Sequence, residues 1–585
     1  MPVLDWLGKD KIIDHHQEVP FRVLERRWSF GDEDGACEGA PAGGNMIVKG
    51  DNLEALKALL PRYEGRVGCV YIDPPYNTGN EGWAYNDNVN DPRIARWLGK
   101  AVGRELEDLT RHDKWLCMMW PRLQLLRRLL SEDGAIFISI DDNEQAHLKL
   151  ICDEIFGAPC FVADISWQRT YSTRNDSTGI VSEVEHLLVY SRRPGWDPNK
   201  LSRTAEMDSK YKNPDNDDIP WKSSDASAPG AATHQGMVYA IQHPFTGEMI
   251  YPPNRRCWPF SQEQIFEIMN GWARYELRDL DDAARRAQVC GIPQDQVRPG
   301  VMGIVLSDPL EAAAAQAQEV YDRGRWPRFY FTKGGKGGIA RKVYLDDVGG
   351  KPPTNLWPYA ETGHTDEAAK ELAAIFDGRS PFDTPKPVRL IERVLHIAAG
   401  PEDLVLDSFA GSGTTAHAVL KMNAADGGRR RFILVEMMDY AEDLTAERVR
   451  RAITGYGTGK NAVEGLGGGF SFYELGQPIL SEEGLLAPDL PLEALREHVW
   501  YTETGTAWPG LPDAARPYLL GEQGEVEIFF CFEPDRPMTL DHELLARLGA
   551  RGPALVWADL CLIAPGALSR LGVRFKKIPR DIRRL

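Results

Sequence analysis

Asp73-Pro74-Pro75-Tyr76 is the stretch of this chain whose residue types most directly permit chemistry on an amine. The exocyclic amino group of a base carries two N–H bonds. A carboxylate and a carbonyl can accept one each, which localises the nitrogen lone pair. Pro74 and Pro75 stiffen the turn and bring no N–H of their own, leaving their carbonyls as acceptors, and Tyr76 adds a flat face for stacking. A base held this way can attack a methyl sulfonium. Its amine is out of reach inside a duplex, so the base must first be flipped out of the stack. The same four residues, taken alone, are equally at home in an ordinary structural turn.

A second stretch, Asp407-Ser408-Phe409-Ala410-Gly411-Ser412-Gly413-Thr414-Thr415, follows the apolar run LVL and opens a helix. Gly411 and Gly413 allow a tight turn with close approach to a ligand, and the helix N-terminus offers unpaired N–H groups to an anionic group. Roughly twenty residues further on, a strand ends in Glu436, where an acid can accept from both hydroxyls of a ribose. A purely structural turn or a dehydrogenase would share this signal. The two stretches together, each at a strand end, point to transfer of a group from a nucleotide-like donor to an amine.

The elements that must position these residues alternate. MIVKGD and VGCVYID read as buried strands around the amphipathic helix NLEALKALL; helix WPRLQLLRRLL, strand AIFISID and helix EQAHLKLICDEIF follow. FVADISW and HLLVYS are two more strands. After a long interruption the alternation resumes with helix PVRLIERVLHIAAG, strand DLVLD, a helix through Lys421, strand RRFILVEM and helix AEDLTAERVRRAI. Such alternation predicts a doubly wound, mostly parallel α/β sheet covered on both faces. The interruption is rich in Pro, Asp, Asn, Gly and Trp and reads as an insertion. GLGGGF at Gly465–Phe470 reads as a linker to a small C-terminal α/β module with strands EVEIFFCF and PALVWADLCLI. The expected domains are therefore an N-terminal extension (1–45), a first catalytic half (46–195), the insertion (196–350), a second catalytic half (351–464) and the C-terminal module (465–585).

Composition narrows the class. At 585 residues, 43% hydrophobic and 26% charged, the chain needs several domains and has no apolar run of the ~20 residues that span a bilayer. The N-terminus lacks a secretory pattern, so a cytoplasmic location is expected. Nine cysteines without a Cys-x-x-Cys pair argue against a disulfide framework and a zinc site, and no structural metal is expected. The net charge of -18 is unusual for a DNA-binding chain. It is offset locally between Tyr321 and Tyr344, where Arg323, Arg325, Arg328, Lys333, Lys336, Arg341 and Lys342 interleave with aromatics and glycines against one acid, Asp322. This segment is the expected DNA-binding face; a solvated hairpin is the alternative. Trp221, His234, Arg255, Arg256 and Trp258 are further candidates, though buried Trp and surface Arg are the plainer readings.

GDNLEAL, YIDPPYNTG, AIFISIDDNE, EHLLVYS, TGHTDEAAKEL, TPKPVRLI and DSFAGSGTT together resemble the beta-ordered amino-methyltransferases of DNA, in which the catalytic motif precedes the cofactor motif. Within that group the chain resembles the modification subunit of type III restriction-modification systems. The resemblance implies a permuted S-adenosylmethionine (AdoMet)-dependent methyltransferase fold with catalytic residues Asp73, Pro74, Pro75 and Tyr76. It assigns AdoMet to Asp407, Phe409, Ala410, Gly411, Ser412, Gly413, Thr414 and Glu436, with Asp51 near the adenine and Lys386 near the methionine end. It also makes the insertion a target-recognition domain. Double-stranded DNA, a homodimer and a separate helicase-nuclease subunit are the implied partners, the C-terminal module serving dimerisation or docking. N6 of adenine is the expected target. N4 of cytosine, or a DNA-specificity subunit that has lost catalysis, are the alternatives. No P-loop is present, so the chain carries no evident motor. Cys160, after Pro159, is expected in the core rather than as the nucleophile of a C5-cytosine enzyme.

Overall fold

The computed structural model describes residues 3–31, 44–78, 111–172, 180–510 and 515–580. The chain forms two compact units, Met1–Asn199 with Pro353–Leu585, and Lys200–Pro352.

The first unit is built on a ten-stranded sheet. Its strands are β1 (Arg22–Gly31), β2 (Met46–Lys49), β3 (Val67–Ile72), β4 (Leu130–Ile140), β5 (Phe161–Gln168), β6 (Val184–Ser191), β7 (Leu356–Trp357), β8 (Leu404–Asp407), β9 (Arg431–Glu436) and β10 (Gly469–Pro478). They lie in the order β1-β10-β2-β9-β8-β3-β4-β6-β5-β7. From β10 to β4 every pairing is parallel, and β1 and β6 run antiparallel to their neighbours. Every residue of β3 is buried, as a central parallel strand covered on both faces requires. Helices α1 (Asn52–Tyr63) and α2 (Arg111–Leu129) pack through Leu56, Leu60, Trp115 and Leu126 onto Val70 and Ile72. Helix α3 (Gln145–Cys152) joins the same face through Leu148 and Ile151. Helices α4 (Val388–Ala398) and α5 (Thr414–Asp426) contact each other, and they reach β3 and β9 respectively.

Two sequence expectations change. The glycines at 465–468 do not lead out of the sheet: from Gly469 the chain enters β10, wedged between β1 and β2, with Ile47 beside Phe472 and Trp28 stacked on Phe472 at 5.0 Å. Arg22–Gly31, expected in an extension, is the edge strand that covers β10. Beyond it, Leu519–Gln523, Val526–Phe530, Ala554–Ala558 and Val573–Lys577 form a separate four-stranded sheet.

The second unit contains a four-stranded and a three-stranded sheet around a core with Trp221, Trp258, Trp272 and Phe331. Eight described cysteines are free, Cys160 among them and buried; Cys37 lies outside the described residues. Among the described residues no helix is long and apolar enough to cross a membrane.

Candidate active site

Parallel pairing sets the carboxyl ends of β2, β9, β8 and β3 side by side, which is where open α/β sheets bind ligands. Asp51 follows β2, Glu436 ends β9, the glycine turn follows β8 and Asp73 follows β3. Gly50 N–H donates to the Glu436 carbonyl at 3.0 Å, and Asn52 Nδ2 donates to the Ser408 carbonyl at 3.1 Å, so the ends of β2, β9 and β8 are bonded into one rim beside that of β3.

Asp73 meets Lys386, whose Nζ lies 2.8 and 2.7 Å from the two carboxylate oxygens. The Tyr76 hydroxyl lies 2.9 Å from Asp73 Oδ1 and 3.0 Å from Glu185 Oε2, its single proton directed between two carboxylates. Glu185, on β6, also accepts from Arg169 at 2.9 Å and sits 3.6 Å from Lys386. Two acids thus share two cations in a buried site. Burial, with help from Glu185, lifts the Asp73 carboxyl above its ordinary value although Lys386 pulls it down. Burial alone would depress Lys386, but Asp73 and Glu185 outweigh it and the ammonium is held above its usual range. That ammonium also lies 5.0 Å from the Tyr76 ring centroid. The Pro75 carbonyl accepts from the Trp115 indole at 2.6 Å, which consumes one of the two proline acceptors and leaves that of Pro74.

The glycine turn is braced from three sides. Glu436 Oε2 accepts from Gly411 N at 2.8 Å, and Oε1 accepts from Met438 N at 2.9 Å. Asp407 accepts from Phe409 N at 3.0 Å and from the Thr415 hydroxyl at 2.6 Å. Behind the turn, Arg448 donates to the hydroxyls of Ser412 and Thr414 at 2.8 and 2.7 Å, and Thr445 donates to the Gly411 carbonyl at 2.6 Å. Gly413 has φ 81°, and a Cβ there would meet the Thr445 carbonyl at 3.1 Å. Only glycine fits that position without strain.

Asp73, Lys386, Phe409, Gly411 and Thr414 line one solvent-open cavity, together with Ala410 and Ser412. Its lining suits AdoMet, with a cation for a carboxylate and backbone amides at a helix start, while Glu436, bonded to the Gly411 N–H, ends the next strand. Asp51 stands at the rim but is engaged as the N-cap of α1, accepting from Leu53 N at 2.9 Å and paired with Arg122 at 3.2 Å. Glu185, Arg169, Thr445 and Arg448 were not singled out from sequence. A glutamate inside the apolar strand EHLLVYS was the available signal for the first of them.

The basic segment lies in the second unit and divides. Lys342 is fully buried, bound to Asp215 and, at 2.7 Å, to Asp217, so its expected contact with DNA is withdrawn. Arg325 pairs with Asp218 and Arg328 with Asp347, each at 2.6 Å, while Arg341 packs on Phe260. Arg323, Lys333 and Lys336 are exposed, the two lysines on the tip between strands Phe329–Phe331 and Ile339–Tyr344. Trp221 and Trp258 are core residues, Arg256 donates to Ser227, and His234 and Arg255 are exposed.

Comparison with known proteins agrees with this arrangement. A family profile described as DNA methylase, covering N6 and N4 enzymes, matches residues 67–265 and 308–447. The chain is 32% identical over 408 residues to the StyLTI Mod subunit, a type III restriction-modification enzyme of Salmonella typhimurium, covering 67% of this chain and 52% of that one. It is 29% identical to the EcoP15I Mod subunit of Escherichia coli, covering 68% and 59%. It is 30% identical to the type II methyltransferase M.KpnI of Klebsiella pneumoniae, covering 67% and 80%. The chain thus spans little more than half the length of the two Mod subunits. With the family profile matched on both sides of the glycine turn and the acid turn, this chain belongs to the N6/N4 DNA methylase family.

Proposed function

We propose that this chain methylates an exocyclic amine in duplex DNA, N6 of a flipped adenine, using AdoMet. The reading is carried by one observation: the Asp73 turn and the glycine turn open into the same cavity from adjacent parallel strands. When bound, AdoMet supplies a methyl group activated by a sulfonium. The chain supplies the rest. Asp73 and the Pro74 carbonyl accept the two amine N–H bonds and aim the nitrogen lone pair, and Tyr76 presents its ring to the base. As the new N–C bond forms and the sulfonium S–C bond breaks, its electron pair staying on sulfur, the nitrogen becomes cationic and gives one proton to Asp73, whose burial favours taking it. Gly411, Gly413 and Thr414 receive the donor at the start of α5, Glu436 faces its ribose, and Lys386 turns from Asp73 to its carboxylate.

The names of the two Mod relatives support a place in a restriction-modification system; a restriction subunit as partner, a second copy of the chain and target reading by the second unit belong to the same proposal. The direct test is nucleoside mass spectrometry on DNA from a methylation-deficient host expressing the chain or its Asp73→Ala variant. N6-methyladenine that vanishes in the variant is expected. N4-methylcytosine would move the target to cytosine, and no modified base from soluble protein would overturn the activity.

A further inference from the structure

Directly after Tyr76 the chain enters a second polar cluster that methyl transfer does not use. Glu144, which precedes α3, has a side chain that is 0% exposed. Three groups converge on it. The Asn77 amide donates to Oε1, His112 Nδ1 lies 2.7 Å from Oε1, and His147 Nδ1 lies 2.9 Å from Oε2. The two imidazole rings are 4.8 Å apart at their centroids, and each side chain is 34% exposed, so the cluster is closed beneath and open to solvent above.

The contact on the His147 side is not a hydrogen bond. Among the described residues neither Glu144 Oε2 nor His147 Nδ1 has a hydrogen-bond partner, although the two atoms are 2.9 Å apart. A buried carboxylate oxygen and an imidazole nitrogen, brought this close without an aligned proton, remain incompletely satisfied, which is costly for a carboxylate shut off from solvent. A shared cation resolves the conflict. With metal–ligand distances of about 2.0–2.2 Å, two donor atoms at such a separation subtend roughly 90° at a common ion. All three ligand atoms lie within 4.8 Å of one another, and rotation of the part-exposed imidazoles closes the remaining gap. Two imidazoles and one carboxylate suit Zn²⁺ or a neighbouring first-row divalent ion, with the outer positions left to water.

We propose that His112, Glu144 and His147 form a divalent metal site of the zinc class. It stands independently of the methyl-transfer reading, since it shares no ligand with the cavity between β3 and β8. Its place explains a local feature of the fold. Asn77 holds left-handed backbone at φ 58°, an arrangement a non-glycine residue keeps only when its surroundings fix it, and its amide also donates to the Arg111 carbonyl at 3.1 Å. An ion on Glu144 anchors the residue that fixes Asn77, and through it the exit of the Asp73–Tyr76 turn. Binding has one local cost. Arg111 Nε lies 3.4 Å from His112 Nε2, and that nitrogen must carry the proton once Nδ1 is a ligand, so Arg111 turns to solvent.

The test uses the full chain, stripped with EDTA, dialysed and titrated with Zn²⁺ and separately with Co²⁺. The expected result is about one ion per chain retained through gel filtration. Tm should rise with free Zn²⁺, and Co²⁺ should give visible absorption bands. His147→Ala should lose all three signals while its metal-free circular dichroism and Tm match the parent, and His112→Asn, a second part-exposed position, should behave alike. No ion retained by the parent, or equal retention by both variants, overturns the site and leaves a cluster of histidine–glutamate contacts.

Discussion

Lys386 occupies the two features a target base needs, since it binds both oxygens of Asp73 and lies against the Tyr76 ring. If its ammonium passes to the carboxylate of AdoMet, donor binding uncovers the acid and the aromatic face together, and the donor should bind before the base. Lys386→Met removes a charge-assisted contact of about 1.5–3 kcal/mol, so the KM for AdoMet should rise roughly ten- to hundredfold. The variant also removes the cation that pulls the Asp73 carboxyl down, so the acid limb of the kcat/KM profile should move to higher pH. An unchanged KM with an unchanged profile would place Lys386 outside the reaction. The Lys386–Asp73 pair was not legible in the sequence, because more than three hundred residues separate the two and chain pattern says nothing of such distant partners. Lys342 was misread for a different reason. It was weighed as a charge within a run, whereas the period of two in IARKVY sets it on the same strand face as buried Ala340.

The glycine turn shows how an element holds a reactive loop still. Asp407 ends β8 and ties the turn to α5 through Phe409 and Thr415, and burial, opposed by those two hydrogen bonds, pushes its carboxyl up to about 7. Its value in the fold lies above the ~4 of an unfolded aspartate. The proton it keeps therefore stabilises the fold fully below pH ~4, and that contribution is lost as the pH rises through about 7. Asp407→Asn keeps an acceptor for the Phe409 N–H and cannot titrate. Urea unfolding at several pH values should then show the decline between pH ~4 and ~7 flattened by up to about 4 kcal/mol relative to the parent; an equal slope in both proteins would place the titration elsewhere. Strands β3, β8 and β9 were legible because short apolar runs between helical patterns admit few alternatives. Strand β10 was not: glycines at 465–469 signal a linker, and the neighbours that make it a strand, Met46–Lys49 and Arg22–Gly31, lie at the other end of the chain.

A net charge of -18 means that, across the whole molecule, any attraction for DNA is local. Two exposed lysines of the second unit, Lys333 and Lys336, are the sharpest test of where. If both neutralise phosphates, Lys333→Gln with Lys336→Gln should weaken binding across sequences and lower the magnitude of the log K against log salt slope by about 2. Fluorescence anisotropy over a salt series measures this, and an unaltered slope would remove the hairpin tip from the DNA-binding surface. The insertion of β10 between β1 and β2 bears on how the protein is made. Met46–Lys49 leaves the ribosome more than four hundred residues before Gly469–Pro478, its partner in the sheet. At about 5–20 residues per second, that is tens of seconds during which the strand leading to Asp51 has a bare edge. A stop codon or proteolytic cut ahead of Gly469 makes the exposure permanent, turning an early-born strand into a template for pairing with other nascent chains.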